Sequence, residues 1–482
     1  MTSRQPIVAI LGHVDHGKTT LLDYIRTTKV AAREAGGITQ SIGAYQATFK
    51  DKLLTFIDTP GHAAFSKMRS RGASVADVVV LVVAADDSVQ PQTIESIKHI
   101  KAAGVPYVVA INKVDKPDAN VEVVKAELTQ HEVFVEGYGG NTPFVLISGK
   151  TGAGVDTLLE TILLLAELEE LPYDDKLDLS APIIEAKIDQ KKGALVSAII
   201  KSGTLHVGDM VHTDTAVAKV RALFSDLGTI ITSATPGMPV QILGFQTLPT
   251  VGEVILPVGV DYHPPVVPPT ENLPAPAIDP SVKRLNLIVK ADTAGSLEAI
   301  KGSFTPDVNV VTSSTGDITE SDVLMAGATD SIIIGFNIKV SPSVIKLAEA
   351  ENIIIKNHKI IYEILEYIEK KVLKLMEPTI DEDELGLATV IKVFDINGDH
   401  IAGCLIDSGL FSVGDTVHLK RGDISKNAKI RSIRIAKEEL KKVEAGKECG
   451  LFFSPNLDVQ PKDVIIAYKK KLDDIWTTNY KN

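Results

Sequence analysis

A glycine-framed loop near the start of the chain combines the residue types that bind phosphate. Lys18 supplies a cation to phosphate oxygens, the Thr19 hydroxyl is a ligand for Mg²⁺, and glycines let backbone N–H groups close around the phosphates. An apolar run over residues 6–11 precedes the loop, and a helical pattern with Leu21 and Leu22 on its apolar face follows it. Strand, glycine loop and helix in this order favour a nucleotide site over a chance match. The loop fits G-x-x-x-x-G-K-[ST] and comprises Gly12, His13, Val14, Asp15, His16, Gly17, Lys18 and Thr19, with Thr20 directly after it.

Three further polar loops each follow a short apolar run that predicts a buried strand. Asp58, at the end of the first such strand, is placed to hold Mg²⁺ through water, and the Gly61 N–H is placed to meet a γ-phosphate. Asp115 accepts hydrogen bonds from guanine N1–H and N2–H₂, two donors that adenine lacks. The backbone of the third loop is expected to contact guanine O6. The loops are Asp58-Thr59-Pro60-Gly61, Asn112-Lys113-Val114-Asp115 and Ser148-Gly149-Lys150.

Each loop alone has an ordinary interpretation, as a turn or as a strand end capped by an aspartate. All four lie at the carboxyl ends of predicted strands, where ligands bind in open α/β sheets. We therefore interpret them as one site for GTP or GDP with Mg²⁺. The elements expected to position it are strands over 6–11, 53–57, 78–85, 107–111 and 144–147, with a closing helix over 154–171.

Length and composition exclude several classes of protein. At roughly 150 residues per domain, the 482 residues predict three or four domains. Apolar residues make up 44%, too many for a disordered or collagen-like chain. The two cysteines leave no disulfide framework, which indicates a reducing compartment. The run over 78–85 is too short to span a membrane and the N-terminus lacks a signal-peptide core, so we expect a soluble, cytoplasmic protein.

Five segments of the sequence contain the predicted nucleotide loops or lie between them: GHVDHGKTTLLDYIR, EAGGITQSIGAY, DTPGHAAFSKMRSRGA, VVAADDSVQPQT and AINKVDK. Together they resemble the GTPase domain of bacterial translation initiation factor 2, and the similarity continues to the C-terminus. The resemblance implies that Thr39 closes on Mg²⁺ and the γ-phosphate, and that His62 is catalytic and positions the attacking water. No arginine finger is identifiable, so we expect slow hydrolysis until the ribosome orders His62. The sequence departs from the family pattern at Ser41, where histidine is usual, and at Gly149, where alanine is usual.

An internal repeat organises the rest of the chain. Residues 202–211 and 408–417 share the pattern S-G-x-x-x-V-G-D-x-V, and two shorter segments downstream repeat at a similar offset. The repeat predicts two copies of one small β-barrel. Between them, a proline-rich segment favours an extended linker, and alternating strands and helices predict an α/β domain with a mainly parallel sheet that serves as a spacer.

The predicted fold is therefore a multidomain α/β plus β protein. The helix over 359–376 has one apolar stripe, and the sequence leaves open whether it packs on its own domain or acts as a lever to the last barrel. The domains expected are a P-loop GTPase domain at 1–172, a β-barrel at 179–258, a proline-rich linker at 259–281, an α/β/α domain at 282–358, a connecting helix at 359–377 and a C-terminal β-barrel at 385–470.

The last barrel carries a local positive charge in an acidic chain. The formal net charge is −12, yet residues 417–447 hold ten Lys or Arg against four acids. This excess fits either a solvated face or attraction to RNA phosphates. The two cysteines fit either buried apolar positions or a metal pair, although two ligands do not make a zinc site. The resemblance implies that the formylmethionyl end of initiator tRNA is held by Cys404, Arg434, Glu448, Cys449 and Gly450.

The last barrel also departs from the family pattern, at Ile391, Ile435 and Ala436, where basic or aromatic residues are common. The leading hypothesis is a translation initiation GTPase in a short form that lacks N-terminal extensions. It would place initiator tRNA on the 30S ribosomal subunit, promote joining of the 50S subunit and hydrolyse GTP, as a monomer working with other initiation factors and no membrane. The alternatives are an elongation-type or selenocysteine-type tRNA carrier, a scaffold that does not hydrolyse GTP, and a metabolic enzyme driven by a GTPase.

Overall fold

The chain forms two compact units, residues 1–369 and 370–482. Ser41, Ala436 and the predicted linker beyond residue 259 lie outside the residues that the structure describes. Among the described residues, no helix is long and apolar enough to cross a membrane. This computed structural model describes residues 4–26, 39–40, 42–171, 178–189, 191–259, 284–376, 382–396, 399–421, 424–435 and 438–470.

The N-terminal domain is a six-stranded sheet with helices on its faces. Its strands are β1 (Ile7–Gly12), β2 (Gly43–Phe49), β3 (Lys52–Asp58), β4 (Val78–Ala84), β5 (Tyr107–Asn112) and β6 (Phe144–Leu146). Their order in the sheet is β2-β3-β1-β4-β5-β6, and all neighbouring pairs are parallel except β2 with β3. Every residue of β1 and β4 is buried, as the unbroken apolar runs predict for parallel strands covered on both faces. The helices are α1 (Lys18–Arg26), α2 (Ser66–Val75), α3 (Pro91–Ala103), α4 (Val121–Gln130) and α5 (Val155–Leu168).

Six strands of the first barrel form a closed ring. The sheet contains β7 (Ala181–Asp189), β8 (Gly193–Ile199), β10 (Met210–His212), β11 (Val217–Phe224), β12 (Ile230–Ile231), β14 (Pro239–Phe245) and β15 (Val254–Pro257), with β9 (Leu205–His206) and β13 (Ser233–Ala234) as a separate pair. The ring runs β10-β15-β7-β8-β14-β11 and returns to β10. An apolar cluster that includes Ile183, Val196 and Ile242 fills its interior.

The middle domain has a four-stranded, wholly parallel sheet, a stricter form of the mainly parallel sheet that was predicted. Its strands are β16 (Leu285–Ala291), β17 (Val308–Thr315), β18 (Ile332–Phe336) and β19 (Ile355–His358). Their order in the sheet is β17-β16-β18-β19. Thr293, Thr319 and Ser341 cap three of its helices, each accepting a backbone N–H three residues on. The helices are α6 (Ala294–Gly302), α7 (Glu320–Thr329), α8 (Pro342–Ala350) and α9 (Ile361–Met376).

The second barrel confirms the repeat. Its strands are β20 (Glu382–Ile396), β21 (Asp399–Ser412), β22 (Thr416–Arg421), β23 (Ile424–Ile435), β24 (Glu438–Leu440), β25 (Lys442–Glu444), β26 (Glu448–Ser454) and β27 (Val464–Lys470). The ring runs β22-β27-β20-β21-β26-β23 and closes on β22, the same order of equivalent strands as in the first barrel. The two closed barrels are therefore copies of one topology.

Local chemistry explains why the V-G-D part of the repeat is retained. Asp209 Oδ2 accepts a hydrogen bond from the His206 N–H at 2.7 Å, and Asp415 Oδ2 accepts one from the Ser412 N–H at 2.7 Å. The glycine before each aspartate has a positive φ, +104° at Gly208 and +96° in the second copy, a conformation that favours glycine. Each motif thus encodes the same tight turn between two strands.

Candidate nucleotide site

The phosphate-binding loop is shaped around the Lys18 ammonium. Lys18 is buried, and its Nζ donates to the carbonyl oxygens of Gly12 at 2.9 Å and His13 at 2.5 Å. Burial lowers the pKa of Lys18 to about 8, although the nearby Asp58 carboxylate opposes the shift. Gly12 must be glycine because an added Cβ would lie 2.4 Å from the Val82 carbonyl oxygen, at a φ of +148°. The loop therefore holds the Lys18 ammonium at the N-terminus of α1.

Three oxygen-bearing side chains predicted to hold Mg²⁺ meet beside this loop. Thr19 Oγ1 lies 2.9 Å from Thr39 Oγ1, and Thr39 Oγ1 donates to Asp58 Oδ2 at 3.5 Å. Thr19 lies in the first turn of α1, Thr39 precedes β2 and Asp58 ends β3, so three separate segments supply them. Hydroxyl and carboxylate oxygens are the donors that a hard cation such as Mg²⁺ prefers, so the set fits the ion.

Asn112 joins the loops that were predicted separately. Its Nδ2 donates to the His16 carbonyl at 2.8 Å, and its Oδ1 accepts the Gly149 N–H at 2.9 Å. Asn112 is buried, so both bonds are shielded from water. It therefore holds the phosphate loop and the Ser148–Lys150 loop in fixed relation, a positioning role that its motif alone does not reveal.

Asp115 and Gly149 form the end of the site that was predicted to recognise the base. A hydrogen bond from Ser148 lowers the pKa of the exposed Asp115 carboxyl, which keeps it ionised at neutral pH. Gly149 packs against α1, and an added Cβ would lie 3.0 Å from the Leu21 nitrogen. The departure from alanine at this position thus matches a close approach of the loop to the helix.

The structure brings most of the predicted residues to one cleft of about 360 Å³. Of the others, Thr59 is buried and donates to the Ile10 carbonyl at 2.7 Å, and burial lowers the pKa of His16 to about 4. Thr59 and His16 are therefore buried within the loops of the cleft and do not line it. The cleft is lined by Val14, Asp15, Gly17, Lys18, Thr19, Thr20, Thr39, Gly61, His62, Asn112, Lys113, Asp115, Lys116 and Lys150, of which only Lys116 was not predicted.

His62 lies at the phosphate end of the cleft with its ring held on two sides. Its Nδ1 accepts the Ala64 N–H at 3.0 Å, and its ring stands nearly perpendicular to the Tyr362 ring, with 4.1 Å between the centroids. Burial, and then the charge of Arg69, lower the pKa of His62, so the ring is neutral at pH 7. With Nδ1 accepting, the neutral ring carries its proton on Nε2.

The start of α9 packs on the nucleotide side of the first unit, a contact that the sequence did not reveal. Gln40 Nε2 donates to the Lys359 carbonyl at 2.8 Å, and Gln40 Oε1 accepts the Ile361 N–H at 3.0 Å. One amide thus caps the first turn of the helix, while Tyr362 reaches His62 from the same turn. Gln40 follows Thr39 in a segment singled out in the sequence, but nothing in the sequence links it to Tyr362 or to α9, and only their proximity in the fold identifies the contact.

In the second barrel, β26 lies between β21 and β23 and places the predicted tRNA residues on opposite faces. Cys404 and Cys449 are paired directly across β21 and β26, and both are buried in the barrel core. Burial raises the pKa of Cys404 and raises that of Cys449 to about 11. Both thiols therefore occupy apolar positions, and no cluster of three or more His, Cys, Asp or Glu able to hold a metal occurs in the described part of the chain.

The outer face of the same strands carries the polar members of the set. Glu448 and Arg434 are exposed, and Gly450 is registered opposite Arg434. The Arg434 guanidinium lies over the Phe452 ring at 5.2 Å, and Glu439 is 3.9 Å away. An arginine, an aromatic ring and an acid thus form a small exposed surface beside a glycine.

Comparison with known proteins defines the class of the chain. Residues 3–167 match the family described as "Elongation factor Tu GTP binding domain", and residues 178–258 match "Elongation factor G domain 2". Together with four nucleotide loops at one sheet edge, these matches define a translational GTPase.

Residues 270–369 match the family "Translation-initiation factor 2". A protein named "Translation initiation factor IF-2" from Lachnospira eligens is 40% identical over 97% of this chain and 53% of its own length. One of the same name from Thermoanaerobacter sp. is 42% identical over 97% of this chain and 71% of its own length. The chain belongs to the translation initiation factor IF-2 family.

The chain spans 53% of the Lachnospira relative, so it matches only about half of that protein. Among solved structures, the crystal structure of GDP-bound aIF5B from Aeropyrum pernix is 26% identical, with a TM-score of 0.48, over 97% of this chain and 92% of that chain.

Proposed function

We propose that the chain is a cytoplasmic, monomeric translation initiation GTPase. It binds GTP or GDP with Mg²⁺, positions formylmethionyl initiator tRNA on the 30S subunit, promotes joining of the 50S subunit with other initiation factors, and hydrolyses GTP on the ribosome. The observation that carries this proposal is the single cleft that gathers Lys18, Thr19, Thr39 and His62 at one end and Asp115 at the other, in a member of this family. In this proposal the chain is divided into domains at the boundaries that the sequence predicts.

The phosphate end of the cleft supplies the groups that hydrolysis requires. Thr19 and Thr39 would hold Mg²⁺ directly and Asp58 through water, and the ion supplies charge neutralisation at the phosphates. Lys18 meets the β- and γ-phosphate oxygens from within its loop. Neutral His62 orients the attacking water, so catalysis depends on positioning and on charge stabilisation.

Asp115→Asn is expected to weaken GDP binding about 100-fold, because an amide cannot accept both guanine donors. The same change should create binding of xanthosine diphosphate, whose C2 oxygen accepts from the new amide. Calorimetric titration of both nucleotides measures the exchange. Asp118→Asn, an exposed aspartate three residues on, is the matched control, and equal GDP affinity in both variants would contradict the assignment of Asp115.

The second barrel is the proposed tRNA-binding domain. Lys420, Lys426, Lys429, Arg431 and Arg434 are all exposed, which suits attraction to phosphates. The decisive experiment compares protection of the aminoacyl ester in formylmethionyl initiator tRNA and in unformylated elongator tRNA. We expect protection of the formylated ester alone. Equal protection of both, or of neither, would reject the initiation function while leaving nucleotide binding intact.

Arg434→Ala is expected to weaken initiator tRNA binding about tenfold and to reduce the salt dependence of binding by about one phosphate contact. Arg221, exposed on the equivalent strand of the first barrel, is the matched control, and Arg221→Ala should leave tRNA affinity unchanged. Filter binding over a salt series measures both quantities. A loss of equal size in the two variants would show a general effect of charge rather than a site.

A further inference from the structure

Arg69 is a charged side chain that has no exposed surface. It lies on α2 with 0% exposure. A buried guanidinium must be paired and hydrogen-bonded. Its Nη2 donates to Glu95 Oε2 at 2.6 Å, and Glu95 Oε1 lies 3.3 Å from His99 Nε2 on the same helix, α3. The Glu95 carboxylate therefore balances the charge of the guanidinium and ties it to α3.

The second terminal nitrogen of the same guanidinium, Nη1, holds the loop that precedes α2. The two N–H groups of Nη1 are shared among three consecutive carbonyl oxygens, those of Pro60 at 3.1 Å, Gly61 at 3.0 Å and His62 at 2.5 Å. Hydrogen bonds from a charged donor are stronger than neutral ones and, when buried, are not weakened by water. The three carbonyls are thus turned together toward the guanidinium.

The orientation of these carbonyls fixes the opposite side of the same peptides. The peptide bonds of this loop are trans, so each C=O and the following N–H point in opposite directions. The Pro60 carbonyl faces Arg69, which directs the Gly61 N–H away from it. Gly61 itself packs on the phosphate side, where an added Cβ would lie 2.6 Å from Lys18 Nζ.

We propose that Arg69 is a positioning residue for GTP hydrolysis, one that holds the 60–62 loop with the Gly61 N–H and His62 set toward the γ-phosphate. This inference rests on the proposed function of the cleft. Arg69 acts through the loop and does not touch the substrate, because its Nη groups are engaged by the loop carbonyls and Glu95. GDP has no γ-phosphate, so its binding does not depend on this loop.

The test uses the full chain and compares the wild type with four variants. Arg69→Met keeps most of the volume and removes the hydrogen bonds. Arg69→Lys supplies one ammonium for the three carbonyls that Nη1 alone contacts, but gives up the bond to Glu95. Glu95→Gln keeps an acceptor for Arg69 without its charge, and Lys67→Met removes one charge from an exposed position of α2 as a control. The measurements are kcat and KM of ribosome-stimulated GTP hydrolysis, GDP affinity and thermal unfolding.

Arg69→Met is expected to lower kcat about 10- to 100-fold, the cost of a misplaced catalytic loop, with KM for ribosomes and GDP affinity unchanged. Arg69→Lys should recover part of kcat, Glu95→Gln should lose less than Arg69→Met, and Lys67→Met should match the wild type. An unchanged kcat in Arg69→Met, or a fall in kcat matched by lost GDP affinity, would overturn the proposal. If Arg69→Met does not fold, the Glu95→Gln variant provides the test. A reduced kcat with unchanged GDP affinity in that variant supports the positioning role of Arg69, and an unchanged kcat rejects it. A wild type without ribosome-stimulated hydrolysis would reject the proposed function instead.

Discussion

Replacing His62 with alanine is expected to lower ribosome-stimulated GTP hydrolysis by about 10²- to 10³-fold, the range for loss of one preorganised hydrogen-bond donor. The reason is the neutral imidazole in the lining of the cleft, where Nδ1 accepts the Ala64 N–H and the ring proton is therefore on Nε2. Single-turnover hydrolysis with saturating ribosomes measures the effect. GDP affinity should not change, because the proposed role of His62 concerns the γ-phosphate, which GDP lacks.

The pH profile provides a second readout of the same residue. Burial, and then Arg69, lower the pKa of His62, so the ring takes up a proton only at a pH below the ordinary histidine range. The rate in the wild type should therefore stay level as the pH falls through 6.5 and decline only below it. His13 and His16, also near the cleft, have lowered pKa values as well, so neither should titrate at a higher pH.

His206→Ala, an exposed histidine on the first barrel, is the matched control and should keep the wild-type rate. If His62→Ala hydrolyses GTP at the wild-type rate on ribosomes, the water-positioning role is wrong. A decline in rate that begins above pH 6.5 would show that the neutral ring is not what limits hydrolysis.

Local patterns in the sequence were enough to predict the strands of the GTPase domain and to identify the loops of the candidate site. The strand predicted over 107–111 is Tyr107–Asn112, and the one over 53–57 is Lys52–Asp58. The strand predictions succeeded because buried parallel strands appear as unbroken apolar runs, and the loops were recognisable because glycine loops have short signatures. The barrel repeat was equally accessible, since the tight turn that Asp209 and Asp415 stabilise depends on neighbours only three residues away.

Contacts between distant residues could not be predicted in this way. Gln40 caps a helix that begins more than 300 residues later, and the two partners share no motif. Arg69 looks like one more charged position on a surface helix until the fold buries it. The sequence also left the cysteines open between core and metal, and only strand register shows that they face each other inside the barrel.

Asp77→Ala is expected to reduce the free energy of unfolding by about 3–5 kcal/mol, the cost of removing one partner from a buried ion pair. Asp77 accepts two hydrogen bonds from Arg4, at 2.6 and 2.7 Å, one from the Ile7 N–H at 2.8 Å, and one from Lys201 at 2.9 Å. Arg4 and Asp77 belong to the GTPase domain and Lys201 to the first barrel, so this carboxylate also joins two domains. The first transition in a urea titration of the full chain measures the loss.

The sign of the pH dependence follows from the same contacts. Burial alone would raise the pKa of Asp77, but Arg4 and Lys201 outweigh it and lower the pKa below 3.8. A carboxyl with a lowered folded pKa contributes its full stability above the unfolded pKa, and the contribution is lost as the pH falls through the folded value. The difference between wild type and Asp77→Ala should therefore be complete at pH 7 and shrink only below about pH 4.

Asp118→Ala, an exposed carboxylate of the same domain, is the matched control and should change the unfolding free energy by less than about 0.5 kcal/mol. A similar small change in Asp77→Ala would mean that the desolvation of the Arg4, Asp77 and Lys201 charges cancels their attraction. A difference that already shrinks between pH 7 and pH 5 would place the Asp77 pKa above its ordinary value and would contradict the direction given by Arg4 and Lys201.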